Sequence, residues 1–196
     1  MSEIRIEDLT PERWPDFERL FESARGVCGG CWCMFWRLPG PQWQAGMYEG
    51  NREALRAVVE SGAPAGVLGW RDGRPVGWAA VAPRPEHARV LRSRALRPDP
   101  AGGDAAGDPG VWVVPCFYVH RTARRQGLAA ELLAGAVAYA GERGAHTVEG
   151  YPVDVAGRKV QAAELYTGTV ALFRDAGFAE YRRPPTGRRV VMRRSP

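Results

Sequence analysis

A succession of strand, turn, helix and strand between residues 111 and 154 most constrains the fold of this chain. Residues 111–120 read VWVVPCFYVH, a short apolar run that predicts a buried strand. A basic turn follows, then an amphipathic helix predicted over residues 126–143 and a second strand predicted over residues 146–151. Two strands joined by a helix run parallel in one sheet with a right-handed crossover. The segment therefore predicts a mixed α/β fold.

The turn between this strand and helix has the composition of an anion-binding site. It reads Arg124-Arg125-Gln126-Gly127-Leu128-Ala129. The first amide groups of a helix lack intrahelical partners and lie at the positive end of its dipole, so they attract phosphate. Gly127 lets a phosphate approach the backbone because no Cβ intervenes, and Ala129 keeps that surface low. The turn is neither a dinucleotide fingerprint nor a Walker A loop.

This turn resembles the acyl-CoA-binding motif of the GNAT superfamily of N-acyltransferases, whose pattern is Gln/Arg-x-x-Gly-x-Gly/Ala. Residues 172–178, LFRDAGF, resemble the closing helix of that superfamily, which commonly ends in Tyr-x-x-x-Gly-Phe. The order of elements agrees over nearly the whole chain, so residues 1–196 are expected to form a single GNAT-like domain. The alternative is an ordinary strand–helix–strand crossover with a basic surface turn.

The resemblance implies a central mixed sheet flanked by helices, with a splayed parallel strand pair that holds acetyl-CoA. Pro115 agrees with this, because a proline cannot donate a ladder hydrogen bond and so predicts a bulge, an edge or a splay. The turn would bind the CoA pyrophosphate, and backbone groups of the first strand would bind the pantetheine arm. The implied cofactor contacts are Phe117, Val119, Arg124, Arg125, Gln126, Gly127, Leu128, Ala129 and Phe173.

The resemblance also implies an activity, the direct transfer of an acetyl group from the thioester to a primary amine. The superfamily commonly places a tyrosine, as the acid for the leaving thiolate, where this chain has Phe173. Phenylalanine has no hydroxyl, so another acid is needed if the thiolate is to be protonated. The candidates are Tyr166, two turns earlier on a helix predicted over residues 163–176, and Tyr118 on the central strand. Either tyrosine could instead only pack in the core.

Glu149 is the candidate base, because a carboxylate in the middle of a crossover strand needs a partner or a chemical task. An ion pair with one of the many arginines is the alternative. His120 is a second candidate, because imidazole is a common general base, but it lies beside the pyrophosphate turn. Asp154 is the third candidate, and a relay through water would require none of the three.

Three of the four cysteines crowd into Cys28-Gly-Gly-Cys31-Trp-Cys33, which raises the question of zinc. A structural zinc site takes four ligands, and no histidine lies nearby in sequence. Cys116 could complete such a site only if the fold happened to bring it there. We therefore expect no metal, and interpret the cysteines as free thiols that pack among aromatic residues.

The aromatic segment around these cysteines is predicted to form a wall of the acceptor pocket. The resemblance puts variable N-terminal loops there, and Trp32 and Trp36 are the candidate substrate-binding residues. Aromatic faces suit an amine through cation–π contact, an amino-acid side chain or an antibiotic. The sequence does not choose among these acceptors.

The net charge of +5 suits a polyanionic small molecule such as CoA, and we expect neither nucleic acid nor a membrane as a partner. No apolar run approaches the roughly 20 residues of a membrane span, and the charged N-terminus does not resemble a signal peptide. A cytoplasmic location is therefore expected, with the oligomeric state open between monomer and homodimer. Two other functions stay open: a non-enzymatic acyl-CoA-binding sensor, and a metal- or nucleic-acid-binding protein.

The rest of the chain predicts ordinary elements. Alternation predicts an edge strand over residues 3–8, and Thr10-Pro11-Glu12 predicts the start of a helix that runs to about residue 24. Asn51 is predicted to cap a helix that ends near residue 62. Two hairpins are expected, one over residues 65–83 with Asp-Gly at its turn, and one built from residues 179–183 and 189–192.

Overall fold

The computed structural model describes residues 4–22, 30–99, 103–157 and 160–196. Within these ranges seven strands form one sheet in the order β1-β2-β3-β4-β5-β7-β6, in which only β4 and β5 run parallel. The strands are β1 (Ile4–Asp8), β2 (Gly66–Arg71), β3 (Arg74–Pro83), β4 (Val111–Val119), β5 (Thr147–Gly150), β6 (Ala179–Arg182) and β7 (Val191–Arg194). The predicted mixed α/β fold is confirmed.

Helices cover both faces of this sheet. They are α1 (Trp14–Glu22), α2 (Gly40–Ala45), α3 (Glu49–Glu60), α4 (Ala88–Arg92), α5 (Leu128–Glu142) and α6 (Val170–Asp175). Side chains of β3 alternate between two cores: Ala79 and Val81 pack with residues of α5, whereas Trp78 and Ala80 pack with residues of α1 and α3. This alternation is the two-residue period of a strand buried on both faces.

The helix α5 approaches the sheet closely because glycine lies beneath it. A Cβ atom at Gly77 would lie 2.8 Å from Cδ1 of Leu132 and 2.9 Å from Cδ2 of Leu128. Because both leucines are fully buried, they have little room to move away. Gly77 on β3 therefore lets the first turns of α5 pack close to the sheet. Because Gly77 pairs with Val119, this contact lies beside the end of β4.

The parallel pair β4–β5 separates partway along, as the splay requires. Val111–Val114 pair with Thr147–Gly150, and the pairing ends there although β4 continues to Val119. Pro115 is the first residue beyond the paired segment, and the register with β3 shifts on its other side, between Ala80 and Ala82. The missing N–H of proline thus lies where the ladder opens, and the predicted splayed pair is confirmed.

Two local predictions are wrong. Asn51 does not cap α3, which begins at Glu49; it lies inside the helix, fully buried, and its Nδ2 donates to the carbonyl oxygens of Gly30 and Trp43. The helix predicted over residues 163–176 is two elements, a 3₁₀ helix (Ala162–Thr167) and α6, separated by Gly168 in an extended positive-φ conformation. Its second part has its own cap, because the Thr169 side chain accepts from the amide of Leu172.

The two predicted hairpins are present. Asp72 and Gly73 both have positive φ, 50° and 72°, as the tight turn between β2 and β3 requires. The C-terminal pair β6–β7 is antiparallel, and β7 is inserted between β6 and β5. In the described ranges, no helix combines the length and apolar character needed to cross a bilayer.

Candidate active site

The turn that joins β4 to α5 contains two residues with positive φ, Arg125 at 60° and Gly127 at 80°. The helix that follows has no side-chain cap, so its first amides are available to a ligand.

The space above this turn is open. Apart from the two adjacent residues, no atom of the described ranges lies within 4 Å of the position that a Cβ at Gly127 would occupy. The side chains of Arg124 and Arg125 are exposed beside it, and Nε of Arg124 donates to the carbonyl oxygen of Val119 at 3.0 Å. Leu128 is buried against the sheet, so only its backbone faces the turn. Two guanidinium groups and the helix dipole thus make this surface positive.

Gln126 differs from its neighbours in the turn. Its Nε2 donates to the carbonyl oxygen of Thr122 at 2.9 Å, and its Oε1 accepts from Nη1 of Arg71 on β2. Both ends of the amide are therefore bonded to protein, and the side chain braces the turn against β2.

The unpaired edge of β4 offers backbone donors to the gap between β4 and β5. The amide of His120 donates to Val76 on β3, so by the alternation of a strand the amide of Tyr118 also faces β3. The amides of Phe117 and Val119 then face the opposite side, where β5 has diverged. The bond from Arg124 to the carbonyl of Val119 agrees with this direction.

A groove of about 670 Å³ connects the turn with this edge. It begins at Arg124, Arg125 and Gly127, follows Phe117 to Val119, and ends at Tyr166 and Gly168. Of the nine predicted cofactor residues, seven line this groove and two do not: Gln126, which braces the turn, and Phe173. The predicted residues that line it are Phe117, Val119, Arg124, Arg125, Gly127, Leu128 and Ala129.

Phe173 is fully buried instead. Its ring packs edge-on against Phe178 and Phe117, with ring centroids 4.8 and 6.1 Å away. A Cβ at Gly150 would lie 2.0 Å from its ring, so glycine at the end of β5 makes the space for it. This position contributes packing and no polar atom to the groove, and its neighbour Leu172 lines the groove in its place.

The two candidate acids lie in the groove wall. Tyr118 packs against Phe21, with ring centroids 5.6 Å apart, on the side of α1. Tyr166 lies at the far end of the groove, and its hydroxyl accepts from Nη2 of Arg189 at 3.0 Å. The break at Gly168 sets the position of Tyr166, which therefore does not follow from helical spacing relative to Phe173.

Glu149 lies in a buried ionic cluster away from the groove, and the structure favours the ion pair over the base. The residue is 1% exposed, its Oε1 accepts from the hydroxyl of Tyr151 at 2.5 Å, and its Oε2 accepts from Nε of Arg193 at 2.6 Å. Arg84 and Asp104 complete the cluster, with Arg84 Nη1 2.9 Å from Asp104 and 3.5 Å from Glu149. Burial, and then the Glu149 charge, raise the pKa of Tyr151, which therefore stays a neutral donor.

The other candidate bases also have protein partners. Nδ1 of His120 lies 2.8 Å from Oγ1 of Thr122 in the turn after β4. The carboxylate of Asp154 accepts from Arg183 at 2.7 Å, and its pKa is lowered mainly by the hydrogen bond from the amide of Ala156 and then by the bond from Arg183. Neither residue lines the groove.

The fold brings Cys116 to the cysteine cluster. The Cys33 thiol donates to the sulfur of Cys116 at 3.5 Å, and Nε1 of Trp78 donates to Cys33 at 3.1 Å. The bond with Cys116 and then burial raise the pKa of the Cys33 thiol, so it stays neutral. Cys28 lies outside the described residues, and among those described no three His, Cys, Asp or Glu side chains are placed to hold a metal ion.

A second cavity, of about 370 Å³, meets the groove at Tyr166. Trp36, one of the two predicted substrate residues, lines it, whereas Trp32 stacks on Phe21 in the core, with ring centroids 5.5 Å apart. The remaining lining residues are Phe35, Arg89, Arg92, Ser93 and Arg189.

The arginines of the second cavity were not found by sequence reasoning. Five arginines lie between positions 84 and 97, and this density was the available signal. The spacing of these arginines along the sequence does not predict that Arg84 is buried in the ionic cluster while Arg89 and Arg92 line the cavity. Arg189 lies in the last hairpin and has no local signature at all.

A splayed parallel pair, an anion-binding turn at the start of the crossover helix, and a groove along the open strand edge together define an acyltransferase. The sequence matches the family model described as the acetyltransferase (GNAT) family over residues 30–167. That is more than half of the chain, so it belongs to the GNAT family of acetyltransferases. No curated protein matches the sequence at a significant level.

Solved structures share the fold at low sequence identity. The PaiA N-acetyltransferase from Thermoplasma acidophilum, in complex with coenzyme A, matches with a TM-score of 0.54 and 10% identity, covering 99% of both chains. A ribosomal-protein-alanine N-acetyltransferase from Brucella melitensis matches at 0.52 and 19%, covering 98% of this chain and 99% of that one. YncA from Salmonella typhimurium, with its cofactor acetyl-CoA, matches at 0.52 and 15%, covering 98% and 93%.

Proposed function

We propose that this acetyltransferase takes acetyl-CoA as its donor and transfers the acetyl group directly to a primary amine of a small acceptor. The observation that carries the proposal is the continuous groove from the open turn at Gly127, along the free edge of β4, to Tyr166. Two of the structural relatives named above contain coenzyme A or acetyl-CoA, which supports the same donor here.

The turn fits the pyrophosphate of such a donor. A pyrophosphate would lie over Gly127, where the backbone is exposed, and accept hydrogen bonds from the first amides of α5. Arg124 and Arg125 supply the charge that a polyphosphate requires. Gln126 acts indirectly, because its bonds to Thr122 and Arg71 hold the turn in place.

The free edge of β4 fits an extended chain that carries amides. The amides of Phe117 and Val119 can bind the pantetheine arm as an added strand would be bound. When bound, acetyl-CoA supplies an activated acetyl thioester. The amide of Val119 is the proposed donor that polarises the thioester carbonyl, since a backbone N–H held by a strand needs no reorganisation during the reaction.

Tyr166 is the proposed acid for the leaving thiolate, with Tyr118 as the second candidate. Tyr166 lies where the groove meets the second cavity, and Arg189 holds its hydroxyl there at 3.0 Å. A thiol with a pKa near 8.5 leaves readily, so this proton contributes about tenfold to the rate, less than general acid catalysis usually does. Glu149 is excluded from this scheme by its burial and its two strong partners, and loss of the amine proton through water is proposed in its place.

Calorimetric titration with acetyl-CoA tests the proposal, with the wild type compared against Gly127→Glu. The new carboxylate would occupy the space of the pyrophosphate and repel it, so we expect micromolar binding to the wild type and at least a 100-fold loss in the variant. Gly144→Glu is the matched control, because Gly144 also has positive φ, 82°, and open space around it, but lies beyond the other end of α5. Its free energy of unfolding should match that of Gly127→Glu, and its Kd for acetyl-CoA should match that of the wild type.

A subsequent screen of amines separates the enzyme from its alternative. Turnover of any primary amine, with release of free CoA thiol, would support the acetyltransferase. Binding without turnover over the whole screen would favour the acyl-CoA sensor, an alternative that agrees with Phe173, which has no hydroxyl at the family's tyrosine position. No binding to folded wild type would overturn both.

A further inference from the structure

The second cavity carries an unbalanced positive charge. Arg89, Arg92 and Arg189 line it together with Trp36 and Tyr166, and no acidic residue of the described ranges does. None of these arginines forms an ion pair with any described residue. By contrast, the fully buried Arg84 and the partly buried Arg193 do have carboxylate partners.

Several donors of this cavity are buried without a hydrogen-bond partner. Nε and Nη2 of Arg89, Nε of Arg189 and Nε1 of Trp36 are all in this state, and Trp36 is only 5% exposed. A buried donor without an acceptor destabilises the fold, so such groups normally have a protein partner or a ligand. These four unsatisfied donors belong to residues that line one cavity, and an acceptor-rich group is the kind of ligand that would satisfy such donors.

Aromatic rings hold these guanidinium groups in place. The Arg89 guanidinium carbon lies 3.9 Å from the ring centroid of Phe35, and that of Arg189 lies 5.6 Å from Trp36 and 5.5 Å from Tyr166. Stacking against a ring leaves the edge of the guanidinium free, and this edge is the part that binds carboxylate or phosphate oxygens. The cavity is thus built for a small oxyanion.

We infer that the acetyl acceptor is an amine that also carries an anionic group, a carboxylate or a phosphate, which binds to Arg89, Arg92 and Arg189. This inference rests on the proposed function, because it places the acceptor in the cavity that meets the cofactor groove at Tyr166. The anionic group lies among the arginines and the neutral amine extends past Tyr166 toward the thioester. Polyamines and aminoglycosides are excluded as good acceptors, because their additional positive charges would meet three guanidinium groups.

The test compares acceptors that differ only in the anionic group. Amino acids and short ω-amino carboxylates are each assayed beside the corresponding carboxamide, together with O-phosphoethanolamine and spermidine. We expect kcat/KM for the acids to exceed that for their amides by about 10- to 100-fold, the range of a charge-assisted hydrogen bond to a buried donor. A preference for O-phosphoethanolamine would identify the anion as phosphate.

Matched arginine variants link the preference to this cavity. Arg89→Gln should raise KM for the acids at least tenfold, leave KM for the amides unchanged, and leave the Kd of acetyl-CoA at the wild-type value. Arg92→Gln should act in the same direction with a smaller effect, because Arg92 is exposed, while the equally exposed Arg94→Gln, which does not line the cavity, should have none. Equal use of acids, amides and spermidine, or an acid preference that survives Arg89→Gln, would overturn the inference.

A binding measurement keeps this inference distinct from the acetyltransferase proposal. N-acetylglycine and N-acetylglycinamide are titrated calorimetrically into the protein alone, with no CoA present. Tighter binding of the acid, lost in Arg89→Gln, supports the anion site even if acetyl-CoA fails to bind. Equal or undetectable binding of both compounds counts against the anion site, whatever the result with acetyl-CoA.

Discussion

Replacing Glu149 by Gln would leave one fully buried and one partly buried guanidinium group with a single carboxylate between them. Glu149 is 1% exposed and lies 2.5 Å from Nη2 of Arg193 and 3.5 Å from Nη1 of Arg84. Asp104 is the other carboxylate of the cluster, at 2.6 Å from Arg193 and 2.9 Å from Arg84. Glutamine keeps the shape and one acceptor oxygen but removes the charge that offsets these cations.

The magnitude follows from burial. Removing one partner of a buried ion pair typically costs about 3–5 kcal/mol, because the remaining charge stays desolvated. Arg84 is fully buried and cannot turn to solvent, so we expect Glu149→Gln to lower the free energy of unfolding by about that amount. Glu60→Gln is the control, because it removes the same charge from an exposed pair with Arg56 and should leave the unfolding free energy nearly unchanged.

Urea unfolding followed by tryptophan fluorescence measures both variants, with the midpoint and the slope reported separately. Acetyl transfer is then measured at a temperature where Glu149→Gln is folded. A structural Glu149 predicts kcat within about threefold of the wild type, whereas a general base would lower kcat by about 10²- to 10⁴-fold. A loss of unfolding free energy below about 1 kcal/mol, or a collapse of kcat in the folded variant, would refute the reasoning.

Two further predictions concern a buried histidine and the candidate acids. Burial, and then the charge of Arg37, lower the pKa of His87 to about 3, so the unfolded chain binds a proton below pH 6.5 while the fold does not. Through this group, the free energy of unfolding should fall by about 1.5 kcal/mol as the pH drops from 6.5 to 5, whereas above pH 6.5 the contribution is fully present. Urea titrations should show that His87→Asn loses less free energy of unfolding over the same interval. An equal loss in both proteins would contradict this. Tyr166→Phe should lower kcat about tenfold and leave the Kd of acetyl-CoA unchanged, whereas Tyr118→Phe should lower kcat less than threefold. Stopped-flow measurement of acetyl transfer tests this, and the reverse order of effects would assign the acid to Tyr118.

The central crossover was predictable because its signals are local. An apolar run, a basic glycine-bearing turn and an amphipathic helix each depend on a few consecutive residues, and β4, α5 and β5 lie within two residues of their predicted bounds. Pro115 indicated an interruption of the ladder for the same reason, since the missing N–H belongs to the residue itself, and the family resemblance identified that interruption as a splay.

Predictions failed where a local pattern competed with tertiary contacts. Asn51 has the residue type of a helix cap, yet burial places its side chain between the carbonyls of Gly30 and Trp43. Gly168 separates the 3₁₀ helix from α6 because its conformation is one that other residues rarely adopt, and this moves Tyr166 off the helix that was expected to hold it.

The sequence by itself determined the fold class and the anion-binding turn, because both follow from short-range periodicity, helix-terminal amides and the freedom of glycine. The tertiary structure alone decided which charges are balanced. Glu149 forms ion pairs with Arg84 and Arg193, whereas Arg89 and Arg189 line one cavity to which the described residues contribute no carboxylate. Ion pairing depends on distances of a few ångströms between residues far apart in the chain, and only the packing of β3, β4 and the last hairpin sets those distances.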